Sequence, residues 1–212
     1  LFTGKKYVRQ CIWINCHYLC NFLLKMYFVS IKEYGKELID PSKTYVFVAN
    51  HLTQLDILIT GATVTHPVSF LAKAEIKYIP FFGYMTKMLA IMVDRKNKES
   101  REKSIKYMIA ELNKGYSILI YPEGTRNRTG MPLKEFKDGA FKLAIMSQMP
   151  IVAQTLIGVK EINNPEGIQL FPGRAEVHWS APIETKGMTL ADLPALEERV
   201  KGEMLKFLSK DG

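Results

Sequence analysis

The stretch NHLTQLD, residues 50–56, places a histidine and an aspartate between two apolar segments. His51 and Asp56 are separated by about 500° of turn on one continuous helix, so there their side chains would point apart. They can meet only if the backbone changes conformation between them. A carboxylate that holds one imidazole nitrogen leaves the other nitrogen free to accept a proton. The chemistry that this pair could perform is therefore general base catalysis.

The flanking residues supply that change of conformation. Residues 44–49, TYVFVA, are β-branched and aromatic over the length of a strand. Thr53 and Asp56 have the spacing of a capping box, which predicts a helix that begins at Thr53. We therefore expect a strand, a short loop with Asn50 and His51, and a helix whose first turn carries Asp56. The alternative is that Asp56 only caps the helix and that His51 is an ordinary loop residue.

A second polar group follows the apolar segment YSILIY and reads PEGTRNRTG. Polar residues at the carboxyl end of a buried strand are typical of ligand sites in open α/β sheets. Gly124 would let the backbone approach a ligand closely, and the Arg126 guanidinium is suited to a phosphate, with Thr125 between them. Glu123 would either accept a hydrogen bond from a substrate hydroxyl or hold Arg126 in place. The alternative is a surface turn with a local ion pair.

Two further cations end predicted strands. Lys73 follows the segment PVSFLA, and Arg95 follows MLAIMVD. Each could be a solvated charge at the end of a strand. Together with Arg126 they would form an electropositive pocket beside His51.

The whole chain has the pattern of one α/β domain. Strand-like and helix-like segments alternate along its 212 residues, which predicts a largely parallel or mixed sheet flanked by helices. A net charge of +8 favours anionic partners, yet no nucleic-acid recognition motif is visible. The predicted strands cover residues 44–49, 67–72, 88–93, 116–121, 150–158 and 175–180, and the helices after the one at Thr53 cover residues 99–113, 135–147 and 193–208.

The first 30 residues differ from the rest in composition. Up to Lys32 the chain has five basic residues and no acidic one. The uncharged stretch between Arg9 and Lys25 is too short and too polar for an ordinary bilayer span. Basic ends with aromatic residues between them suit a helix that lies in the headgroup region. We therefore expect a membrane-anchoring segment over residues 1–30 and the domain with the candidate site over 31–212. The alternative is a helix packed on its own domain.

The three cysteines also lie in this first segment. Their odd number argues against a disulfide framework and is typical of a reducing compartment. Cys16 and Cys20, with His17 between them, could suggest a metal, but small buried residues on one side of a helix explain them better. We assign no metal site.

Taken in order, NH-x4-D, K-x-E…PFFG, an arginine that ends a strand, PEGTR and a proline-led strand resemble the glycerolipid acyltransferases. The likeness is greatest to the bacterial 1-acylglycerol-3-phosphate acyltransferases and covers residues 35–180. It implies transfer of a fatty acyl group to the sn-2 hydroxyl of 1-acylglycerol 3-phosphate, giving phosphatidic acid. It also implies that His51 is the base, that Asp56 is its partner, and that Arg95 binds phosphate.

The sequence departs from the family pattern at a few positions. Thr53 stands where serine is usual and keeps the hydroxyl group. The apolar residues before Arg95 differ from the family's Gly-x-x-Phe-Ile-x-Arg, and Ala153 stands where the fourth motif usually carries a second proline.

The resemblance also implies partners, and the location follows from the first segment, the free cysteines and the cytosolic origin of thioester donors. The donor would be a thioester of acyl carrier protein or coenzyme A that acts as co-substrate, with no tightly bound cofactor. The acceptor would be a lysophospholipid, and the enzyme would be monotopic on the cytoplasmic face of the cell membrane. The alternatives are an acyltransferase for glycerol 3-phosphate or another lysophospholipid, a hydrolase, and a non-catalytic protein that binds anionic lipid.

Overall fold

Strands and helices alternate along the chain and form one sheet with helices on both faces. The computed structural model describes residues 2–64, 67–73, 90–93, 97–164 and 169–208. The strands are β1 (Val29–Tyr34), β2 (Val46–Ala49), β3 (Val68–Lys73), β4 (Ala90–Val93), β5 (Ser117–Ile120), β6 (Ile151–Ile157) and β7 (Gly173–Trp179). The helices are α1 (Phe2–Met26), α2 (Leu55–Thr63), α3 (Lys98–Asn113), α4 (Gly139–Ser147), α5 (Val159–Ile162) and α6 (Leu193–Leu208), and short 3-10 helices cover Lys36–Leu38 and Leu190–Asp192.

The sheet is mixed, and its strands lie in the order β1-β7-β6-β2-β5-β3-β4. The five strands from β6 to β4 are parallel to one another. Strand β7 is antiparallel to β6, and β1 pairs with β7 in parallel. The predicted α/β class with a largely parallel or mixed sheet is confirmed, and all six predicted strands are present. Strand β1 was not predicted, because its sequence VSIKEY follows the helical segment directly and carries two charges.

Side chains that alternate along the strands supply two apolar cores, one on each face of the sheet. In β2, Val46 and Val48 belong to the core beneath α3, α4 and α6, whereas Phe47 belongs to the core beneath α1 and α2. All three side chains are fully buried. This central strand is covered on both faces, as expected for a parallel strand in an α/β sandwich. The loop that follows β2 is therefore anchored to a rigid part of the molecule.

Helix α1 packs closely against the carboxyl-terminal half of α2. A Cβ atom on Gly61 would lie 2.7 Å from Sγ of Cys20, so the contact requires glycine. Nδ1 of His17 lies 3.1 Å from the Gly61 carbonyl oxygen, and the Asn21 amide donates to the Ala62 carbonyl at 3.4 Å. One side of α1 thus packs on its own domain, as in the second of the two alternatives for this segment.

The other side of α1 is exposed and apolar. Tyr18 and Phe22 are 69% and 59% exposed, and Met26 continues the same i, i+4 row. Burial raises the pKa of the Cys20 thiol, on the packed side, to about 11.

Among the described residues, no helix combines the length and apolar character needed to cross a bilayer. Because β1 begins at Val29, the predicted boundary after residue 30 falls inside that strand.

Candidate active site

His51 and Asp56 meet at the carboxyl end of β2. Nδ1 of His51 lies 2.8 Å from Oδ2 of Asp56. The loop after β2 reverses direction before α2 begins at Leu55, two residues later than the sequence predicted, and this turn brings the carboxylate back to the ring. Asp56 is fully buried, whereas the His51 side chain keeps 17% of its surface exposed. The second ring nitrogen of His51 is therefore the one that a substrate can use.

Asp56 also holds the loop that precedes it. Its Oδ2 accepts hydrogen bonds from the backbone N–H groups of Leu52 and Thr53, the latter at 2.9 Å. The Thr53 hydroxyl in turn accepts from the Leu55 N–H at 3.1 Å. Asp56 therefore pairs with His51 and fixes the loop before α2, which begins after Gln54 without a side-chain cap, so the structure does not show Asp56 as a helix cap only. Because the carboxylate is fixed by several donors, the imidazole orientation is fixed with it.

Tyr121 packs against the imidazole and was not identified from the sequence. Its ring stacks on His51 with centroids 4.3 Å apart and planes at 22°. Its hydroxyl lies 3.0 Å from Oγ1 of Thr60, which itself donates to the backbone carbonyl of Asp56. Burial, followed by the nearby Asp56 charge, raises the pKa of the Tyr121 phenol, which keeps it protonated. The available signal was an aromatic residue at the end of a strand, next to PEGTR.

Glu123 has partners different from the two expected ones. Its Oε1 accepts from the backbone N–H of His51 at 2.8 Å, and its Oε2 accepts from the backbone N–H of Lys134 at 2.9 Å. The residue is 1% exposed. Burial raises the pKa of Glu123, and the two backbone hydrogen bonds oppose that shift. Through these two bonds Glu123 holds the loop after β2 and the loop after β5 together. Its contact with a substrate hydroxyl stays a prediction.

The main chain of His51 is held on both sides by the loop after β5. Its N–H donates to Glu123, and its C=O accepts from the Asn127 N–H at 2.7 Å. Asn127 is buried, and its side-chain oxygen accepts from both the N–H and the hydroxyl of Thr129. Asn127 was not identified from the sequence, because nothing local shows that its partner lies in another loop. The base is thus positioned before any ligand binds.

The turn that begins PEGTR needs its glycine. Gly124 has φ of +74°, a left-handed conformation that other residues adopt at a cost, and its N–H donates to the Tyr121 carbonyl at 3.0 Å. The turn leads into Thr125 and Arg126. The Thr125 hydroxyl accepts from Nζ of Lys134 at 2.8 Å, which fixes one cation beside the turn.

An open cleft of about 420 Å³ lies along this loop. Its lining is polar and cationic: three basic residues and two threonines contribute, and Lys134 and Arg128 were not identified from the sequence. Such a surface is suited to a phosphate group. The lining residues are Thr125, Arg126, Arg128, Thr129 and Lys134.

The two other predicted cations are placed only in part. Lys73 is the last residue of β3, and the register that pairs Phe70 with Leu119 puts its backbone level with Pro122, at the same edge of the sheet as the site. Its side chain and the whole of Arg95 lie outside the described residues. The pocket of Lys73, Arg95 and Arg126 therefore stays a prediction, and the described cations beside Arg126 in the cleft are Arg128 and Lys134.

Comparison with known proteins places this site in a family. A family model described as Acyltransferase matches residues 30–156, more than half of the chain. The chain is 28% identical to the 1-acyl-sn-glycerol-3-phosphate acyltransferase of Saccharomyces cerevisiae, over 99% of this chain and 69% of the yeast protein. It is 29% identical to the human 1-acyl-sn-glycerol-3-phosphate acyltransferase alpha, over 88% of this chain and 68% of the human protein.

A solved structure has the same fold. The crystal structure of the 1-acyl-sn-glycerophosphate acyltransferase PlsC from Thermotoga maritima superposes with a TM-score of 0.80, over 98% of this chain and 81% of that protein, at 22% identity. The sheet with its flanking helices is thus shared along nearly the whole chain. From the match of the family model, which begins inside β1 and ends in β6, this chain belongs to the acyltransferase family.

Proposed function

We propose that this chain transfers a fatty acyl group from a thioester to the sn-2 hydroxyl of 1-acylglycerol 3-phosphate, giving phosphatidic acid. The observation that carries the proposal is the 2.8 Å pair between His51 and buried Asp56, with a cationic cleft along the adjoining loop. The pair supplies a base for a hydroxyl, and the cleft supplies cations for a phosphate. The named activity of the yeast and human relatives supports the same reaction.

The reaction begins with proton transfer to His51. The exposed ring nitrogen, Nε2, takes the proton of the acceptor hydroxyl as its oxygen attacks the thioester carbonyl carbon. Asp56 stabilises the imidazolium through Nδ1. The tetrahedral intermediate collapses with cleavage of the carbon–sulfur bond, and the departing thiolate takes the proton back from the imidazolium. The acyl group passes directly to the acceptor, so no covalent enzyme intermediate and no metal or tightly bound cofactor takes part.

The intermediate carries an oxyanion, which needs hydrogen-bond donors. The candidate donors are the backbone amides near the start of α2 and those of Gly124 and Thr125. The amides of Thr53, Leu55 and Gly124 already donate within the loops. We assign the oxyanion to the Thr125 amide, because it follows the left-handed turn at Gly124 and adjoins the cleft.

The phosphate of the acceptor lies in the cationic cleft. Arg126 provides two parallel donors, and Arg128 and Lys134 add positive charge. Lys73 ends its strand at the same edge, and Arg95 has the role that the family resemblance gives it. The donor enters as a thioester of acyl carrier protein or coenzyme A.

The enzyme acts at a membrane surface. The exposed aromatic side of α1 and the basic residues of the first segment support a monotopic anchor over residues 1–30 on the domain 31–212. The cytoplasmic face of the cell membrane is the proposed side, because thioester donors are made in the cytosol and the cysteines are free. Such docking would present the lysophospholipid to the site.

The test is an acceptor panel with one labelled acyl thioester. We expect label in phosphatidic acid when 1-acylglycerol 3-phosphate is offered, and much less product with glycerol 3-phosphate or other lysophospholipids. Label recovered as free fatty acid would indicate a hydrolase. An unconsumed thioester with every acceptor would contradict the proposal and leave a non-catalytic lipid-binding protein.

A further inference from the structure

The β1/β7 pair projects beyond the edge of the sheet that carries His51. Strand β7 is antiparallel to β6, with Ile157 opposite Glu176, and Val29 of β1 lies opposite Gly173. The beginnings of β1 and β7 therefore lie at the edge where β6 and β2 end. Since Gly173 precedes Glu176 by three positions in the sequence, the pair extends about 10 Å past Ile157.

Two exposed phenylalanines stand at this projecting end. Phe28 directly precedes β1 and is 78% exposed, with φ of +55°, an unusual conformation for a bulky residue. Its carbonyl accepts from the Gly173 N–H at 3.2 Å, and Phe171, 50% exposed, comes just before that contact. Neither ring belongs to either apolar core. The Phe28 N–H donates to the Lys25 carbonyl at 3.0 Å, so the left-handed conformation ends α1 and leaves the ring exposed at this end.

The exposed apolar side of α1 continues to the projecting end of the β1/β7 pair. Its exposed row of Tyr18, Phe22 and Met26 is continued by Tyr27, which is 44% exposed. Exposed apolar side chains that continue from one element to the next form a patch of the kind that marks an interaction surface.

The charges at the projecting end are mostly positive. Among the described residues that surround it, Lys25, Lys160 and Arg174 are exposed, and Glu161 is the exposed acid. Aromatic rings with basic residues around them suit the headgroup region of a bilayer that contains anionic lipid.

We infer that the projecting end, formed by Tyr27, Phe28 and Phe171 with Lys25 and Arg174, inserts into an anionic lipid surface and turns the His51 edge toward the bilayer. The inference rests on the proposed function for its purpose, since the acceptor is a membrane lipid. In the sheet order, β1 is three strands from β2, which is about 14 Å. The phenylalanines thus contact the bilayer beside the site, while His51 is set back from the surface and accepts a lipid whose chain stays in the membrane.

The test uses the full chain with Phe28→Asn and Phe171→Ser together. Asparagine tolerates a left-handed backbone, so the first change leaves the turn intact. The matched control is Leu190→Ser, which removes an exposed apolar side chain at the opposite edge, 55% exposed against 50% for Phe171. Two quantities are measured: flotation with phosphatidylcholine–phosphatidylglycerol vesicles at high salt, and acyl transfer to a long-chain acceptor in those vesicles against a dispersed short-chain acceptor.

We expect the double variant to show about a tenfold loss in at least one of the two quantities. These are the partitioning onto vesicles and the ratio of the acylation rate in vesicles to the rate with the dispersed acceptor. The rate with the dispersed acceptor should not change. Leu190→Ser should match the wild type in both. Wild-type flotation together with a wild-type rate ratio in the double variant would overturn the inference, and so would an equal loss with both acceptors. A defect with acyl carrier protein as donor, absent with coenzyme A, would assign the surface to a protein instead. If the wild type acylates neither acceptor, the proposed function fails, while the flotation result still decides the membrane contact.

Discussion

The two ends of helix α2 meet their neighbours in opposite ways. At its beginning, Asp56 is fully buried and its Oδ2 accepts from His51 and from two backbone amides. At its end, α1 contributes polar contacts from His17 and Asn21 to the last turn, while its other side leaves aromatic rings exposed. One end is thus a closed polar network, and the other is a packed helix with a free apolar side.

The difference follows from what each region has to do. A buried polar network is fixed when each member has its partners, and a base works best when it is already oriented. An exposed apolar surface contributes to stability only when another surface covers it and removes it from water. The site is therefore ordered by contacts within the domain. In the proposed function, a membrane covers the exposed apolar side of α1.

The largest expected effect comes from removing the base. His51→Ala should lower kcat by about 10²- to 10⁴-fold, because in the proposed mechanism His51 takes the proton of the acceptor hydroxyl. The fold should persist, since Asp56 keeps its two backbone donors. Turnover and circular dichroism on the same preparation check both statements. A folded variant with wild-type turnover would remove His51 from the mechanism.

Asp56→Asn should come next, with a loss of about 10²-fold or more, because an amide does not stabilise the imidazolium as a carboxylate does. It should also lower the free energy of unfolding by about 1–3 kcal/mol, since the network loses part of its acceptor capacity. Kinetics and urea denaturation separate the two effects. A variant that lost stability and kept its turnover would leave Asp56 with a structural role only.

Arg126→Ala should act on acceptor binding rather than on the chemical step. Removing a charge-assisted hydrogen bond of about 1.5–3 kcal/mol should raise KM for the phosphorylated acceptor by about 10- to 100-fold. Saturating acceptor should restore much of the rate if the lost interaction is uniform binding. Met131→Ser is the control, because Met131 is exposed on the same loop and outside the cleft lining. An unchanged acceptor dependence would count against phosphate binding at Arg126.

Glu123→Gln should weaken the link between the two loops, because one of its two backbone partners loses an acceptor. We expect a loss of about 1–3 kcal/mol in stability and a lower kcat with little change in KM. Burial raises the pKa of Glu123 above its ordinary 4.5, so its contribution to stability is present at low pH and falls as the pH rises past that value. Thermal unfolding of both proteins from pH 4 to 7 should show the largest gap at the acid end. A gap that widened with pH would contradict the sign of this shift.

The smallest effect is expected where α1 meets α2. Gly61→Ala places a methyl group 2.7 Å from Sγ of Cys20 and should cost about 1–3 kcal/mol through overpacking. Adding Cys20→Ala should relieve the clash, and the double variant should regain stability from the better helix propensity of alanine. Amide hydrogen exchange in α1 measures the docking of that helix directly. Equal protection in the wild type and Gly61→Ala would mean that the two helices separate easily.

Local sequence determined much of this protein. The β-branched segment before Asn50 and the capping residues after it predicted a strand, a loop and a helix, and this geometry brings His51 to Asp56. The alternation of strands and helices predicted the α/β class, because short-range periodicity reflects which side of each element is buried. The six predicted strands follow from the same property.

Tertiary structure alone decided how distant segments complete the site. The type of a residue determines which hydrogen bonds it can form, but its partner depends on which loops come together in the fold. The sequence therefore showed Glu123 as a candidate ligand group, whereas the fold gives its two oxygens to backbone amides of His51 and Lys134. Tyr121 on the imidazole and Asn127 on the His51 carbonyl depend on the same proximity of two loops.

Strand order is the other property that the sequence left open. Among the described strands, β1 pairs with β7 alone. Their first residue pair, Val29 with Gly173, joins positions that are 144 residues apart in the sequence. No local pattern reports so distant a pairing, because backbone hydrogen bonds between strands are nearly independent of side-chain identity. The antiparallel entry of β7 beside β6 is what carries Phe28 and Phe171 to the edge with His51, and only the folded sheet decides it.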